Sequence, residues 1–240
     1  MAAESDAPIL RAINLTKQYR EGDRVRKVLE RTDLTLWPGE LVVLLGRSGS
    51  GKSTLLNLAG GIDLPDAGSV WLDQVEVTAL SENDRTRFRR SRIGFVFQAL
   101  NLIPTLTVEE NILLPLELNN RMDKLNRLRV LDLLDRVELK HRSTSFPDRL
   151  SGGEQQRVAI VRALSHEPSL ILADEPTGNL DTETGQQVMD LFDTLIRSQN
   201  RSVLIATHDR SLCSIADRVL TLRKGELQTL TNAELPGHEE

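Results

Sequence analysis

The chain has 240 residues and a mass of 26.8 kDa, which suits one sizeable α/β domain or at most two small ones. Hydrophobic residues make up 39% and charged residues 27%, so a mainly disordered, collagenous or low-complexity chain is excluded. A formal net charge of -5 and an aromatic content of 3% disfavour a protein that coats nucleic acid.

Cysteine and histidine usage points away from disulfides and metal centres. Cys213 is the only cysteine, so no internal disulfide can form. The four histidines show no ligand spacing with one another or with Cys213, and we expect a reducing compartment and no structural metal site. Residues 1–10 lack the apolar segment of a secretory signal, and no apolar run approaches the roughly 18 residues that span a bilayer. If the protein works at a membrane, another chain is expected to supply the span.

Apolar residues recur at every second position near the start of the chain. Residues 9–15 and 28–36 show this spacing, which predicts antiparallel strands with one solvated face. Residues 68–77 are predicted to join the same sheet. Residues 1–7 and 231–240, at the two ends, are predicted to be flexible tails.

Four short runs are continuously apolar, as in strands that are buried on both faces of a parallel sheet; they span residues 41–45, 93–97, 170–173 and 203–206. Helical periodicity covers the segments between and after them, namely residues 52–60, 107–118, 123–137, 153–165 and 182–198. The pattern predicts an α/β fold with a parallel core sheet.

Each apolar run ends at residues that handle phosphate or water. The residues that follow the four runs are a glycine-rich segment from Gly46 to Thr54, then Gln98, then Asp174 and Glu175, and finally Thr207, His208 and Asp209. Ligands of open parallel sheets bind beyond the carboxyl ends of the strands. We therefore expect four distant segments to assemble one site.

The glycine-rich segment is the strongest single signal. Residues 46–53 fit the phosphate-loop pattern G-x-x-x-x-G-K-[ST], between a buried strand and a helix. Such a loop points successive backbone N–H groups at an anion, and the helix that follows adds its positive N-terminus. Lys52 is predicted to reach the β- and γ-phosphates, and the Ser53 hydroxyl to coordinate Mg²⁺. The predicted nucleotide-binding residues here are Gly46, Arg47, Ser48, Gly49, Ser50, Gly51, Lys52, Ser53 and Thr54; the alternative is a glycine-rich turn that binds nothing.

Two carboxylates follow the third apolar run. Asp174 is predicted to complete the Mg²⁺ shell, directly or through water, and Glu175 to polarise the attacking water. The alternative is that the two acids cap the next segment before Pro176. Gln98 and His208 alone would be read as structural residues, but their shared position at strand ends favours a role in the site.

Residues 150–157, Leu-Ser-Gly-Gly-Glu-Gln-Gln-Arg, are similar to the signature of ATP-binding cassette (ABC) proteins. The phosphate loop, Gln98, this segment, Asp174-Glu175, residues 178–181 and His208 occur in the order typical of that family, and the resemblance covers residues 9–230. It implies an ABC-type ATPase domain over residues 8–230, with a parallel core sheet, an N-terminal antiparallel β subdomain and a helical signature subdomain at about residues 99–165.

The signature opens a predicted helix, so it is a second anion site at a helix N-terminus, formed by Ser151, Gly152 and Gly153. The resemblance implies that two copies face head to tail as a homodimer, with two ATP molecules sandwiched between them. Each signature then closes over the γ-phosphate that the other copy holds. Glu154 stands where the signature of the family more often has Gln, and we expect this difference to have little effect on phosphate binding.

The resemblance also implies roles for single residues. Tyr19 stacks on adenine, with a half-buried surface tyrosine as the alternative. Gln98 senses the γ-phosphate and Mg²⁺, so the predicted metal set is Ser53, Gln98 and Asp174. His208 holds the γ-phosphate and the attacking water, and Asp181 crosses the dimer interface. The predicted catalytic residues are Glu175, His208, Gln98 and Lys52.

The segment between Gln98 and Leu150 is implied by the resemblance to dock an integral membrane permease subunit, near residues 98–118. Thr107 and Glu110 have the spacing of a capping box, and the apolar face of that helix is interpreted as core. The better candidates for an exposed groove are Leu100, Leu102 and Ile103. A basic cluster is interpreted as a solvated helix face, with attraction to anionic lipid or an acidic loop as the alternative; it comprises Arg85, Arg87, Arg89, Arg90 and Arg92.

The amino-acid sequence within and around the motifs resembles that of the lipoprotein-release and macrolide-efflux group of bacterial ABC transporters. The segments that show this are residues 94–98, 102–107, 113–116 and 172–181. That resemblance implies a peripheral ATPase at the cytoplasmic face of the inner membrane, which touches neither the substrate nor nucleic acid. Two alternatives stay open. One is a soluble ABC-type ATPase that acts on nucleic acid or ribosomes, and the other is a nucleotide-dependent regulator without turnover.

Overall fold

The computed structural model describes residues 7–22 and 24–231. The strands are β1 (Leu10–Glu21), β2 (Arg24–Leu36), β3 (Leu41–Leu45), β4 (Ala67–Leu72), β5 (Val75–Glu76), β6 (Ile93–Phe97), β7 (Leu170–Asp174), β8 (Ser202–Thr207), β9 (Arg218–Arg223) and β10 (Glu226–Thr229). The α-helices are α1 (Lys52–Ala59), α2 (Glu82–Arg92), α3 (Val108–Leu118), α4 (Lys124–Arg136), α5 (Gly152–Leu164) and α6 (Thr182–Ser198). The tails predicted at 1–7 and 231–240 lie outside the described residues, except for Ala7 and Thr231.

The N-terminal strands form the predicted antiparallel sheet, in the order β2-β1-β4-β5. The third predicted strand, residues 68–77, is broken into β4 and β5 because Asp73 and Gln74 adopt positive φ angles of 48° and 65° in the turn between them. Buried and exposed residues alternate over the last positions of β2, as the two-residue spacing predicts.

The core sheet has the strand order β10-β9-β3-β8-β7-β6. The four apolar runs are β3, β6, β7 and β8, and they pair in parallel, which confirms the prediction. The strands β9 and β10 were not predicted. They form a hairpin through Lys224 and Gly225, both with positive φ, and β9 is buried because it pairs with β3.

Two apolar layers cover the core sheet, one on each face. Successive residues of β3 alternate between them: Leu41 and Val43 face the layer of α3, α4, α5 and α6, whereas Val42 and Leu44 face α1 and the antiparallel sheet. Burial on both faces explains why this strand is apolar at every position. No helix within residues 7–22 and 24–231 is long and apolar enough to cross a bilayer.

The basic cluster lies on α2, and the interpretation as a solvated face is wrong for one of its members. Arg85 is only 6% exposed and pairs with Glu82. A methyl group on Gly61 would lie 3.1 Å from Cδ of Arg85, so the arginine stem packs against this turn. Arg89 donates a hydrogen bond to the carbonyl oxygen of Gly61 as well. The two side chains fasten α2 to the end of α1.

Candidate functional site

The carboxyl ends of β3, β6, β7 and β8 lie side by side, and a cleft of about 380 Å³ opens there. The cleft brings together residues from every segment that was predicted to assemble; its lining residues are Tyr19, Arg26, Val28, Ser48, Gly49, Gly51, Lys52, Ser53, Thr54, Gln98, Asp174, Glu175 and His208. Three further loop residues, Gly46, Arg47 and Ser50, line a neighbouring cavity instead.

The glycine-rich loop has a conformation that side chains would obstruct. Gly49 and Gly51 adopt positive φ angles of 76° and 106°. A Cβ atom on Gly51 would lie 2.6 Å from Cγ1 of Val28, which is too close for any other residue. The backbone N–H of Gly46 donates to the carbonyl oxygen of Thr207 at 3.0 Å, which ties the loop to β8. The loop then enters α1, whose N-terminus carries partial positive charge.

Lys52 is the first residue of α1, and only 5% of it is exposed. Its Nζ atom donates to the carbonyl oxygens of Gly46 at 2.7 Å and Arg47 at 3.3 Å, so the ammonium group lies within the curl of the loop. Oε1 of Glu175 lies 3.4 Å from the same nitrogen. The buried cation is therefore held at the point where a phosphate would meet the loop.

Asp174, at the end of β7, has a carboxyl oxygen that lacks a hydrogen-bond partner. Burial raises the pKa of this carboxyl group, and a hydrogen bond with Ser53 partly offsets that effect. The Oδ1 atom is buried and has no hydrogen-bond partner in the structure. An unpartnered buried carboxylate oxygen beside a hydroxyl oxygen suits a hard cation such as Mg²⁺. Among the described residues, no group of three or more histidines, cysteines and acids could by itself hold a metal ion.

Glu175 is held by a set of donors at the end of β8. Its Oε2 atom accepts hydrogen bonds from Nδ1 of His208 at 2.8 Å, from the backbone N–H of His208 at 3.2 Å and from Oγ1 of Thr207 at 3.2 Å. A carboxylate can only accept, so the His208 tautomer with the proton on Nδ1 makes this contact. The backbone of Glu175 is in the left-handed region, with a φ of 46°. Such a conformation in a non-glycine residue is typical of functional sites.

Gln98 and Tyr19 lie at two other walls of the cleft. The carbonyl oxygen of Gln98 accepts a hydrogen bond from Nδ2 of Asn179 at 2.7 Å, so the end of β6 touches the segment that precedes α6. The hydroxyl group of Tyr19 donates to Asp63 at 3.2 Å, and Nζ of Lys17 lies 5.4 Å from the centre of its ring. The tyrosine is 38% exposed, which leaves a ring face for stacking.

Sequence reasoning missed Arg26 and Val28, which β2 contributes to the cleft. The guanidinium group of Arg26 donates to the carbonyl oxygen of Gly49 at 2.6 Å and so braces the loop. No motif marks either residue. The signal that could have identified them is the two-residue alternation of β2. It indicates which side chains face the loop once the sheet is known to lie against that loop.

The signature residues lie outside the cleft. Ser151 caps α5, and it forms a capping box in which Glu154 accepts from the Ser151 backbone N–H at 2.7 Å. This bond lowers the pKa of Glu154 and explains why an acid is well placed there. Gly152 and Gly153 lie against Leu180 and Thr184, since Cβ atoms on them would be 3.4 Å and 2.6 Å from those side chains.

Asp181 also lies outside the cleft. It caps α6, with Oδ1 accepting from the backbone N–H of Thr184 at 3.0 Å. Since Gly153 packs against Thr184, the signature turn and the start of α6 form one continuous surface of the chain. Neither contributes to the phosphate site of its own chain.

A groove of about 350 Å³ adjoins the loop that follows Gln98; it is lined by Arg90, Ile93, Phe95, Phe97, Asn101, Ile103, Leu114, Pro115, Leu118, Arg162, Ala163 and His166. Of the three predicted groove residues, only Ile103 lines it. Leu102 packs against the core, and Leu100, whose φ is 57°, is not among the residues that line the groove. The helix α3 serves both roles, because Ile112 and Leu116 are buried while Leu118 is 48% exposed at the groove.

The chain is similar to known proteins over nearly all of its length. The family model described as ABC transporter matches residues 29–178. An uncharacterized ABC transporter ATP-binding protein of Mycobacterium tuberculosis is 51% identical, over 95% of this chain and 92% of that protein. The lipoprotein-releasing system ATP-binding protein LolD of Pseudomonas syringae pv. tomato is 48% identical, over 93% and 98% of the two chains. LolD of Xylella fastidiosa is 44% identical over 95% of each.

Two solved structures have the same fold. One is the dimeric structure of a post-hydrolysis state of the ATP-binding cassette MJ0796 bound to ADP and Pi. It has 40% sequence identity and a TM-score of 0.83, and the match covers 93% of this chain and 99% of that one. The other, with the same values, is described as the dimeric structure of MJ0796, a bacterial ABC transporter cassette.

Proposed function

This chain belongs to the ABC transporter family as one of its ATPase subunits, and we propose that it powers a separate membrane subunit in lipoprotein release, efflux or a related transfer of mechanical work. The α/β cassette fold that the motifs predicted is confirmed. The proposal of lipoprotein release is supported by relatives named LolD at 44% and 48% identity over most of the chain. Substrate selection is assigned to the membrane subunit.

One observation carries the proposed chemistry: Lys52, Asp174, Glu175 and His208 meet in a single cleft at the strand ends. The loop N–H groups, the N-terminus of α1 and Lys52 bind the phosphates of ATP. Ser53, Gln98 and Asp174 would hold Mg²⁺, which would neutralise phosphate charge. Tyr19 and Arg26 form the wall on which the rest of the nucleotide lies.

Glu175 and His208 act on the water that attacks the γ-phosphate. Glu175 accepts a proton from this water, and ATP and water yield ADP and phosphate. The hydrogen bond from Nδ1 of His208 fixes the carboxylate. Contact of the other ring nitrogen with the γ-phosphate would require a proton on that nitrogen, because phosphate oxygens only accept hydrogen bonds. Lys52 lies 3.4 Å from Oε1 of Glu175. A bound triphosphate would compete with this carboxylate for the ammonium group.

The working unit is a head-to-tail homodimer with ATP in its interface. Ser151 and the N-terminus of α5 form an anion site that the chain's own cleft does not use. In the dimer this site closes over the γ-phosphate that the other copy holds, and Asp181 lies beside it at the interface. Two-fold symmetry makes both composite sites equivalent. The dimeric state of both MJ0796 structures supports this arrangement.

Residues 8–230 are assigned to one nucleotide-binding domain with a helical subdomain at about 99–165. The membrane permease docks in the groove near residues 98–118, and this places the protein at the cytoplasmic face of the inner membrane. Arg162 links groove and cleft, because its guanidinium group donates to the carbonyl oxygens of Leu100 at 2.6 Å and Asn101 at 2.5 Å. Those two residues follow Gln98 after one intervening residue, so movement of Gln98 reaches the groove.

Affinity purification from detergent-solubilised cells tests the proposed function. We expect an integral membrane protein to co-purify with the chain and to stimulate its ATPase activity. The variant Leu118→Glu places a charge in the groove and should lose this partner. The matched control Leu128→Glu changes an exposed leucine of α4 outside the groove and should retain it. Recovery of ribosomes or nucleic acid instead would favour the soluble alternative.

A further inference from the structure

Arg26 connects the part of the cleft that is proposed to hold the base with the part that is proposed to hold the phosphates. In the ladder between β1 and β2 it lies directly opposite Tyr19, and paired residues of antiparallel strands project to the same face of the sheet. Both side chains line the cleft. The guanidinium group of Arg26 also donates to the carbonyl oxygen of Gly49 at 2.6 Å. One residue pair of the sheet therefore reaches the phosphate loop.

The loop that Arg26 contacts has a backbone that is unfavourable to order. Gly46, Gly49 and Gly51 lie within residues 46–51, and Gly49 and Gly51 hold positive φ angles of 76° and 106°. Glycine loses more backbone freedom on ordering than any other residue. A loop that becomes ordered only when it binds phosphate therefore loses part of its binding free energy, whereas a loop that is already held in shape does not.

Two neighbouring strands hold this loop in the described part of the chain. On one side, the backbone N–H of Gly46 donates to the carbonyl oxygen of Thr207 in β8 at 3.0 Å. On the other side, Arg26 and Val28 lie two positions apart on β2 and face the loop together. The bond at Gly46 is made by backbone groups and is kept in any variant, whereas the bond at Gly49 depends on the side chain of Arg26.

We propose that Arg26 is a positioning residue of the nucleotide site, which acts through the carbonyl oxygen of Gly49 and holds the phosphate loop in its binding shape before the ligand arrives. This inference deepens the proposed function and rests on it. A guanidinium group is planar and presents its donors in a fixed geometry, so it directs a carbonyl group better than an ammonium group on a flexible stem. The result is tighter binding of any ligand with a chain of phosphates, with no effect on the step at Glu175.

NMR relaxation without nucleotide tests the effect on the loop itself. We expect backbone ¹⁵N order parameters of Gly49 and Gly51 near the rigid value of about 0.85 in the unaltered chain, and a fall toward about 0.6 in Arg26→Met. Methionine keeps an apolar stem and removes the donors. The matched control is Arg24→Met, which removes the same charge from the same strand face, outside the cleft. Unchanged order parameters in Arg26→Met, or an equal fall in Arg24→Met, would overturn the proposal.

Calorimetric titration separates action through the loop from direct contact with the nucleoside. With Mg²⁺ present, Arg26→Met should weaken the binding of ATP and of inorganic triphosphate by the same factor, about fivefold, since a hydrogen bond from a charged group is lost. Tyr19→Ala should weaken the binding of ATP alone, because triphosphate has no base to stack. Arg26→Lys should recover part of the affinity, and Arg24→Met should retain all of it. A loss in Arg26→Met that is confined to ATP would place Arg26 against the nucleoside and overturn its action through Gly49.

Steady-state kinetics give a third measurement. The KM for ATP should rise in Arg26→Met by about the factor found in the titration, whereas kcat should stay within about twofold, because the residues that act on water are unchanged. A fall in kcat with an unchanged KM would overturn the positioning role. Failure of ATP to bind the unaltered chain would count against the proposed function instead. The relaxation experiment uses no nucleotide, so it would still decide whether Arg26 orders the loop.

Discussion

Nδ1 of His208 lies 2.8 Å from Oε2 of Glu175, and this contact joins the ends of β7 and β8 at the centre of the cleft. The carboxylate is thereby oriented, and Lys52 approaches its other oxygen at 3.4 Å. A carboxylate that is already oriented can take a proton from water without a prior change of conformation.

Replacing Glu175 with Gln removes the proposed base and keeps the shape of the side chain. We expect ATP binding to persist and hydrolysis to fall by about 10²-fold or more, which is the range of general base catalysis. Because ATP stays bound, the dimer should persist, and size-exclusion chromatography with ATP and Mg²⁺ should show it. Phosphate release measures the turnover.

The control for this substitution is Glu138→Gln, which changes an exposed acid outside the cleft and should leave both measurements unchanged. Normal turnover and a purely monomeric Glu175→Gln protein would mean that Glu175 is not the base.

Replacing Lys52 with Ala removes the buried ammonium group from the loop. The contacts with Gly46 and Arg47 are lost, and so is the cation proposed to meet the β- and γ-phosphates. We expect ATP binding and turnover to be lost, as measured by nucleotide binding and phosphate release. Lys27→Ala, at an exposed lysine of β2, is the matched control. Unchanged ATPase activity in Lys52→Ala would refute the phosphate-loop assignment.

The raised pKa of Asp174 implies that its ionised carboxylate lowers the stability of the folded chain, although the proposed function needs it. Its folded pKa is raised by burial, so the folded chain binds more protons than the unfolded chain between the ordinary and the raised pKa. The free energy of unfolding therefore falls as pH rises through that window, and the ionised form remains costly at pH 7. Asp174→Asn should raise the melting temperature without nucleotide at pH 7 and abolish Mg²⁺-dependent turnover. A lower melting temperature at pH 7 would contradict the account.

The lowered pKa of His166 predicts that the folded chain loses stability in acid. Burial lowers its pKa to about 4, and the ring lies against the carbonyl oxygen of Ile93 at 3.1 Å. An unfolded histidine titrates near 6.5, so between pH 6.5 and 4 the unfolded chain binds more protons. Stability is thus fully present above pH 6.5 and falls as pH drops through this window, by on the order of 3 kcal/mol.

Urea unfolding at pH 7.5 and pH 5 measures this effect. His166→Gln should reduce the difference between the two pH values, because glutamine does not titrate. The control His141→Gln changes an exposed histidine and should keep the difference. If both variants behave like the unaltered chain, the pH dependence comes from other groups.

The strand ends and the phosphate loop could be predicted from the sequence because their signals are local. A strand that is buried on both faces is apolar throughout, and the residue at its end is the first that meets solvent. Val96 and Ala173 are buried, and Gln98 and Asp174 follow them into the cleft. The alignment of the four ends then follows from parallel pairing alone.

Other features depend on partners that are distant in the sequence, and no local pattern marks them. Arg26 reaches the loop only because β2 lies over it, and Arg85 is buried only because α2 packs on Gly61. Ser151 differs from Arg26 and Arg85, whose partners lie in the same chain. In a single chain it lies outside the cleft, and the role proposed for it lies across an interface with a second copy.

Mixing two inactive variants tests that composite site. In the proposed dimer, Lys52→Ala spoils the loop and Ser151→Arg spoils the signature, so each homodimer has two defective sites. A mixed dimer of the two has one site in which both partners are intact. In an equal mixture, half of the dimers are mixed, and each has one working site of two, which predicts about a quarter of the unaltered activity.

The matched control mixes Lys52→Ala with Glu175→Gln. Both residues lie in the cleft of one chain, so each site of a mixed dimer keeps a defect and no activity should return. Phosphate release after equilibration of the mixed chains measures both cases. Recovery only in the first mixture would place Ser151 across the interface from Lys52. Failure of both mixtures, with mixed dimers detected by mass, would remove the shared site from the mechanism, since no pairing of intact halves would then support hydrolysis.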